Sequence, residues 1–296
     1  MASRNNRGSF LERNLHIIFP MPAVAFVVVM MLFPVLYTFF LSFTNWNLTS
    51  GMPLSIVMLR SYQRILREPR FLAALGRTFS FTALAVSVET VLGTIIALIL
   101  NREFRGKGFT KLIMLLPLVS TPVAIGIAWN LFYDPTIGLA NFVLTRLGLP
   151  KQAWTGSSST VIPSLALVDI WQWTPMIALI LLSGLASLSS EPYESARVDG
   201  ASEWQIFWKI TLPMVTPTLL TALILRSIDA LKTFDIIYAM TGGGPGYSSE
   251  TLNIMAFKYS FEYFRTGQAS VILVFLFLLV LIMSLLIVRM RKSLEL

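Results

Sequence analysis

A chain of 296 residues that is 55% hydrophobic and only 13% charged is too poor in charge for a soluble domain, which carries about a quarter. The absence of cysteine excludes disulfides, thiolate zinc sites, iron–sulfur clusters and thiol catalysis. The net charge of +8 is scattered between apolar runs, where lipid headgroups and membrane orientation account for it without nucleic acid.

Apolar runs of ~20 residues, long enough to cross a hydrocarbon core, predict an all-α membrane protein with six transmembrane helices. The arm 1–16 carries Arg4, Arg7 and Arg13. It lacks the short apolar core and small-residue cleavage site of a signal peptide, so 17–41 reads as a retained first span, kinked at Pro34. The single histidine, His16, sits at the membrane boundary and cannot form a metal site alone.

Residues 42–77 read as an outer loop. Trp46 suits a membrane interface. Met58, Tyr62, Ile65 and Leu66 recur at helical spacing, with Arg60, Arg64 and Arg67 on another face, so a short amphipathic helix is predicted that Pro69 should end. The core 78–288 holds the other five spans. The second, 78–100, contains Glu89, either hydrogen-bonded to a neighbouring helix or part of a polar path. Segment 101–111 holds Arg102, Arg105, Lys107 and Lys111, a cytoplasmic signature.

The third span, 112–132, contains Pro117 and Pro122, and 133–160 is rich in Gly, Ser and Pro. The fourth, 161–186, holds Asp169 and the run Trp171–Pro175. The fifth, 214–231, ends in Arg226, Asp229, Lys232 and Asp235, alternating in sign every three residues. Such neighbours can pair along one helix. Alternatively, Asp169, Trp171, Gln172, Trp173, Arg226, Asp229 and Lys232 line a solute path in which indole rings stack on sugar faces. Segment 232–267 includes the tight turn 241–246, TGGGPG. The sixth span, 268–288, is closed by Arg289, Arg291 and Lys292 in the tail 289–296. An even number of spans places both termini on one side. Basic residues divide almost evenly between the sides, and their density in 101–111 and at the termini favours the cytoplasm.

No GxxxxGK[ST], HExxH or GxSxG occurs, and no catalytic constellation is visible. Between the fourth and fifth spans lies a charged segment, 190–213. Ser190 is placed to cap a helix opening with Glu191 and Pro192 and running to about Asp199. Gly200 breaks it. Ser202 with Gln205 forms a capping box that opens a second helix bearing Trp204, Ile206, Phe207, Trp208 and Ile210, which Pro213 should end. From these residues alone a lipid-surface loop and a partner dock are equally good readings.

The segment Glu194-Ser195-Ala196, three residues, Gly200, nine residues, Ile210, one residue, Leu212-Pro213 resembles the EAA loop of ABC importer permeases, with Ser195 replacing the middle alanine. The runs 33–46, 138–141, 171–175, 196–202, 229–235 and 238–246 are similar to the carbohydrate-uptake branch, maltose-type and glycerol-phosphate-type permeases. The resemblance implies a type I importer bundle in a bacterial cytoplasmic membrane, both termini cytoplasmic. It implies a second homologous permease subunit, two cytoplasmic ATPase subunits that bind ATP and Mg, and an outer solute-binding protein. No cofactor is expected in this chain. Glu194 would contact the ATPase, Ala196 pack closely and Gly200 make the turn, with Ser195, Asp199, Ile210, Leu212 and Pro213 completing the coupling element. The contrasting expectation is an ion-coupled secondary transporter using Glu89, Asp169 and Asp229.

Overall fold

The computed structural model describes residues 19–51 and 53–294, so the arm 1–16 and His16 lie outside the described residues. Helix α1 (Met21–Ser42) is exposed along most of its length, burying only Leu41 and Ser42. For a spanning helix that surface faces lipid. Thr38 Oγ1 donates to Pro34 O at 2.8 Å across the proline turn. α1 leans on the last helix, α13 (Thr266–Leu294), with Phe39 edge-on to Phe277.

Helix α2 (Arg60–Leu66) turns Ser61 and Ile65 inward and its arginines outward; of the expected apolar face Tyr62 is half-buried, while Leu66 and Met58, which precedes the helix, are exposed. Pro69 then begins helix α3 (Pro69–Asn101), where a helix end was expected. Proline's fixed φ and missing amide hydrogen suit the first turn of a helix. The second span therefore starts well before residue 78, and Arg70 and Arg77 belong to it.

α3 packs most extensively on α7 (Val161–Ala186), whose limits coincide with the predicted fourth span. Gly93 permits the approach, since a Cβ there would lie 2.8 Å from Ile177 Cγ2. Buried Ala85 and Ala97 on α3 and Ala166 and Ala178 on α7 are similarly small.

The third apolar run is broken. α4 (Lys107–Val119) and α5 (Pro122–Phe132) meet at 98°. Pro122 removes an amide donor and biases Thr121 away from helical backbone, and both Ser120 and Thr121 are extended. Gln172 Nε2 donates to Ser120 O at 3.3 Å, satisfying a carbonyl freed at the break.

Short helix α6 (Leu139–Arg146) precedes α7. The charged segment follows as α8 (Glu191–Val198), α9 (Glu203–Ile206) and a wide π-type turn, Phe207–Thr211, leading into α10 (Leu212–Leu231). α11 (Asp235–Thr241) packs on α5, and α12 (Leu252–Phe257) on α13. Among the described residues five helical stretches are long and apolar enough to span a membrane, and six if the bent α4–α5 pair is counted as one span. Between described residues the only β-pairing is an isolated bridge, Thr44 to Ile56.

Candidate functional site

The EAA-like segment forms a rigid elbow at the end of the bundle where α3 stops and α7 ends. Ser190 does not cap α8 through its side chain, because its backbone is already helical. Its carbonyl accepts from Tyr193 and Glu194, both at 3.0 Å, and Ser189 Oγ accepts from Glu191 N at 3.4 Å. Gly200 closes α8 in the left-handed region, φ +78°, which side-chain-bearing residues avoid. Ala201 N donates to Ala196 O at 2.9 Å to complete the stop. The capping box is present: Ser202 Oγ accepts from Gln205 N at 3.3 Å, and Gln205 Oε1 from Ser202 N at 2.8 Å.

Pro213 ends nothing. The second helix of the elbow, α9, continues through the wide turn into α10. A π-type turn tolerates a missing amide hydrogen because its bonding pattern is already shifted by one residue. Thr211 Oγ1 bonds to Ile206 O across it at 3.4 Å.

On the elbow, Glu194, Ser195, Asp199, Gly200 and Pro213 are exposed, and Ala196, Ile210 and Leu212 are half-buried. Val198, Trp204 and Trp208 present large apolar surfaces at 87%, 70% and 50% exposure. A cavity of about 490 Å³ separates the elbow from the ends of α3 and α7, with Arg102, Tyr193, Glu194, Arg197 and Glu203 among its lining.

A second site lies within the bundle. Arg226 on α10 meets Glu89 on α3 through two bonds, Nε to Oε2 at 2.6 Å and Nη2 to Oε1 at 3.0 Å. The same Nη2 donates to Asp169 Oδ2 on α7. None of the three is more than 1% exposed. The Trp173 ring lies 5.4 Å from the guanidinium carbon, within cation–π range. Asp169 Oδ1 is buried without a hydrogen-bond partner among the described residues.

A cavity of about 270 Å³ adjoins this triad, lined in part by Asp169, Trp173, Arg226, Asp229, Lys232 and Asp235. Lys232 Nζ pairs with Asp229 Oδ1 at 3.3 Å, one rung of the expected ladder. Trp171 and Gln172 do not line it. Trp171 meets Trp129 edge-on, and buried Gln172 caps the α4–α5 break. The linkage of Glu89, Asp169 and Arg226 was not expected. The available signal was a lone basic residue in a span, which needs intramembrane counter-charges.

A further network, also unforeseen, ties the opposite end together. Arg70 Nε and Nη2 hold fully buried Glu250, both at 2.6 Å, and Arg77 Nε donates to Glu250 O at 2.8 Å. Tyr247 stacks 3.8 Å from the Arg70 guanidinium carbon. Tyr259 bonds to Glu68, and burial first, with that bond adding, pushes its hydroxyl well above the usual phenol range. The Gly-rich turn is anchored here, with Thr241 Oγ1 2.7 Å from Ser249 Oγ, which donates to Gly244 O. Among the described residues no group of His, Cys, Asp or Glu could hold a metal ion.

The family model described as "Binding-protein-dependent transport system inner membrane component" matches residues 89–295. The chain is 37% identical over 272 residues to the trehalose/maltose transport system permease protein MalF of Thermococcus litoralis, covering 92% of each. It is 31% identical to the sulfoquinovosyl glycerol transport system permease protein SmoG of Agrobacterium fabrum, over 95% of this chain and 92% of the relative. The fold matches a chain of a bacterial ABC transporter involved in import of the acidic polysaccharide alginate, with TM-score 0.82 and 19% identity over 96% of this chain and 97% of that one.

Proposed function

This chain belongs to the binding-protein-dependent transport system inner membrane component family, and from that premise we propose how it works as the permease subunit of an ABC importer for a sugar or sugar derivative. The elbow α8–Gly200–α9 is the seat for a cytoplasmic ATPase subunit. Glu194 makes the polar contact, Ala196 packs closely, Gly200 sets the turn, and Val198, Trp204 and Trp208 fill the ATPase cleft. ATP and Mg stay with that subunit. A second, homologous permease subunit completes the path, and a solute-binding protein loads it from the other face. The elbow faces the cytoplasm, and both termini with it.

One observation carries this reading. From Glu203 to Leu231 the chain is a single rod of helix and wide turn, with a dock at one end and Arg226 near the other. At 1.5 Å per residue the distance from Glu203 to Arg226 is about 35 Å. When the ATPase subunits close, the rod carries the displacement to the point where α3, α7 and α10 are pinned by charge. The two bundle states then differ in contacts at both ends, as coupling demands.

The cavity beside the triad is the place where solute passes. Trp173 offers an aromatic face for a sugar ring, and Asp169, Asp229 and Lys232 offer partners for its hydroxyls.

The test is uptake by vesicles holding this chain with its ATPase, permease and binding-protein partners. Uptake should require internal ATP and ignore an ion gradient. Gly200→Pro and Glu194→Lys should reduce it to background while the chain stays folded in the membrane. Uptake driven by an ion gradient without the ATPase would overturn the reading.

A further inference from the structure

The end of the bundle away from the elbow holds a cavity of about 460 Å³ with no place in the coupling scheme. It lies where α2 meets the start of α13 and the segment following α1. Arg60, Arg64 and Arg265 line it with Trp46, Asn45 and Gln268, and no carboxylate is present in the lining. None of the three arginines makes an ion pair among the described residues.

Backbone bonds hold the walls. Asn45 N bonds to Ser55 O at 3.1 Å, Val57 N to Phe43 O at 2.8 Å, Leu48 N to Phe264 O at 3.0 Å and Gly267 N to Trp46 O at 3.0 Å. Ser61 Oγ fixes α2 to Thr44 O at 3.2 Å. Three cations are therefore presented from two elements that cannot easily move apart. Like charges brought together at fixed positions call for an anion.

The surroundings indicate which anion. Ile56, Met58 and Leu59 are exposed beside Arg60, and the exposed apolar length of α1 ends just before Asn45. Arginines with an indole at the end of a lipid-facing helix mark a headgroup region, where long side chains place apolar stems in the bilayer and charges at its edge. A protein carboxylate would meet the same arginines but would gain nothing from the adjoining apolar run.

We propose that this cavity binds the phosphate of an anionic phospholipid headgroup. Guanidinium forks on Arg60, Arg64 and Arg265 take the phosphate oxygens. Asn45 and Gln268 supply polar contacts to the headgroup alcohol. Ile56, Met58 and Leu59 lie against the upper acyl chains.

The test is native mass spectrometry of the full-length chain incubated with dioleoylphosphatidylglycerol, with dioleoylphosphatidylcholine, or with inorganic phosphate. One phosphatidylglycerol should be retained in preference to phosphatidylcholine. The double variant Arg64→Ala, Arg265→Ala should weaken retention roughly 30-fold, the effect of two interfacial charges. Arg64→Lys with Arg265→Lys, which keeps the charges but not the forks, should fall between the unchanged chain and the alanine variant, and an unchanged thermal unfolding temperature of the alanine variant in detergent excludes misfolding as the cause. Equal retention of both lipids, or unchanged retention in the alanine variant, overturns the proposal. So does inorganic phosphate that displaces the lipid at equal concentration, which would make this a free-anion site. If the alanine variant loses binding-protein docking but keeps its lipid, the cavity belongs to an acidic protein surface and the lipid assignment fails.

Discussion

Arg226 concentrates the electrostatics of the bundle in one side chain. Its charge is buried with two carboxylates, and both are held from other helices. Arg226→Leu leaves Glu89 and Asp169 without a counter-charge and should cost about 3–5 kcal/mol, read as a fall in thermal unfolding temperature in detergent. Glu89→Gln should cost less, because Asp169 still balances the guanidinium and a neutral amide can still accept. Arg226→Lys should fall between them, since an ammonium cannot make the bidentate contact with Glu89. The three residues were each legible in the sequence as charges inside apolar runs. Their union was not. Spacing along one helix predicts i,i+3 partners, which Lys232 and Asp229 do make, but it does not say which faces of three helices meet.

Prolines decided which elements could be foreseen. The limits of α7 follow from its apolar run. Pro34, Pro69, Pro122 and Pro213 have four different outcomes: a tolerated interior turn, a helix start, a break and a passage through a continuous rod. A missing amide hydrogen is costly only where the freed carbonyl lacks another partner. That partner is found in the fold, as Gln172 is for Ser120. The capping box was fully readable because it is local. Ser202→Ala should cost about 1 kcal/mol of helix stability, seen as roughly fivefold faster amide exchange at Gln205. Gly93→Val should push α3 off Ile177 and cost about 1–3 kcal/mol, again read from thermal unfolding.

At the scale of the whole molecule, composition was enough for the membrane class, and the apolar runs along the chain for the approximate number of spans. The bend at 98° was not, and neither was the isolation of α1, which touches the bundle mainly along α13. The cysteine-free sequence makes orientation easy to measure. Ser195→Cys should react with a membrane-impermeant maleimide only in inside-out vesicles, and Ser55→Cys only in right-side-out ones. The opposite pattern would invert the proposed topology. The rod from Glu203 to Leu231 has a last consequence, which concerns angle rather than distance. Deleting one residue between Met214 and Leu225 would swing Arg226 by about 100° around the helix axis, away from Glu89 and Asp169, while leaving the elbow untouched. The same deletion within Phe207–Thr211 would be absorbed by tightening the wide turn to an ordinary one. The wide turn is thus a phase adjuster, setting the rotational register between the proposed ATPase seat and the buried charge of Arg226.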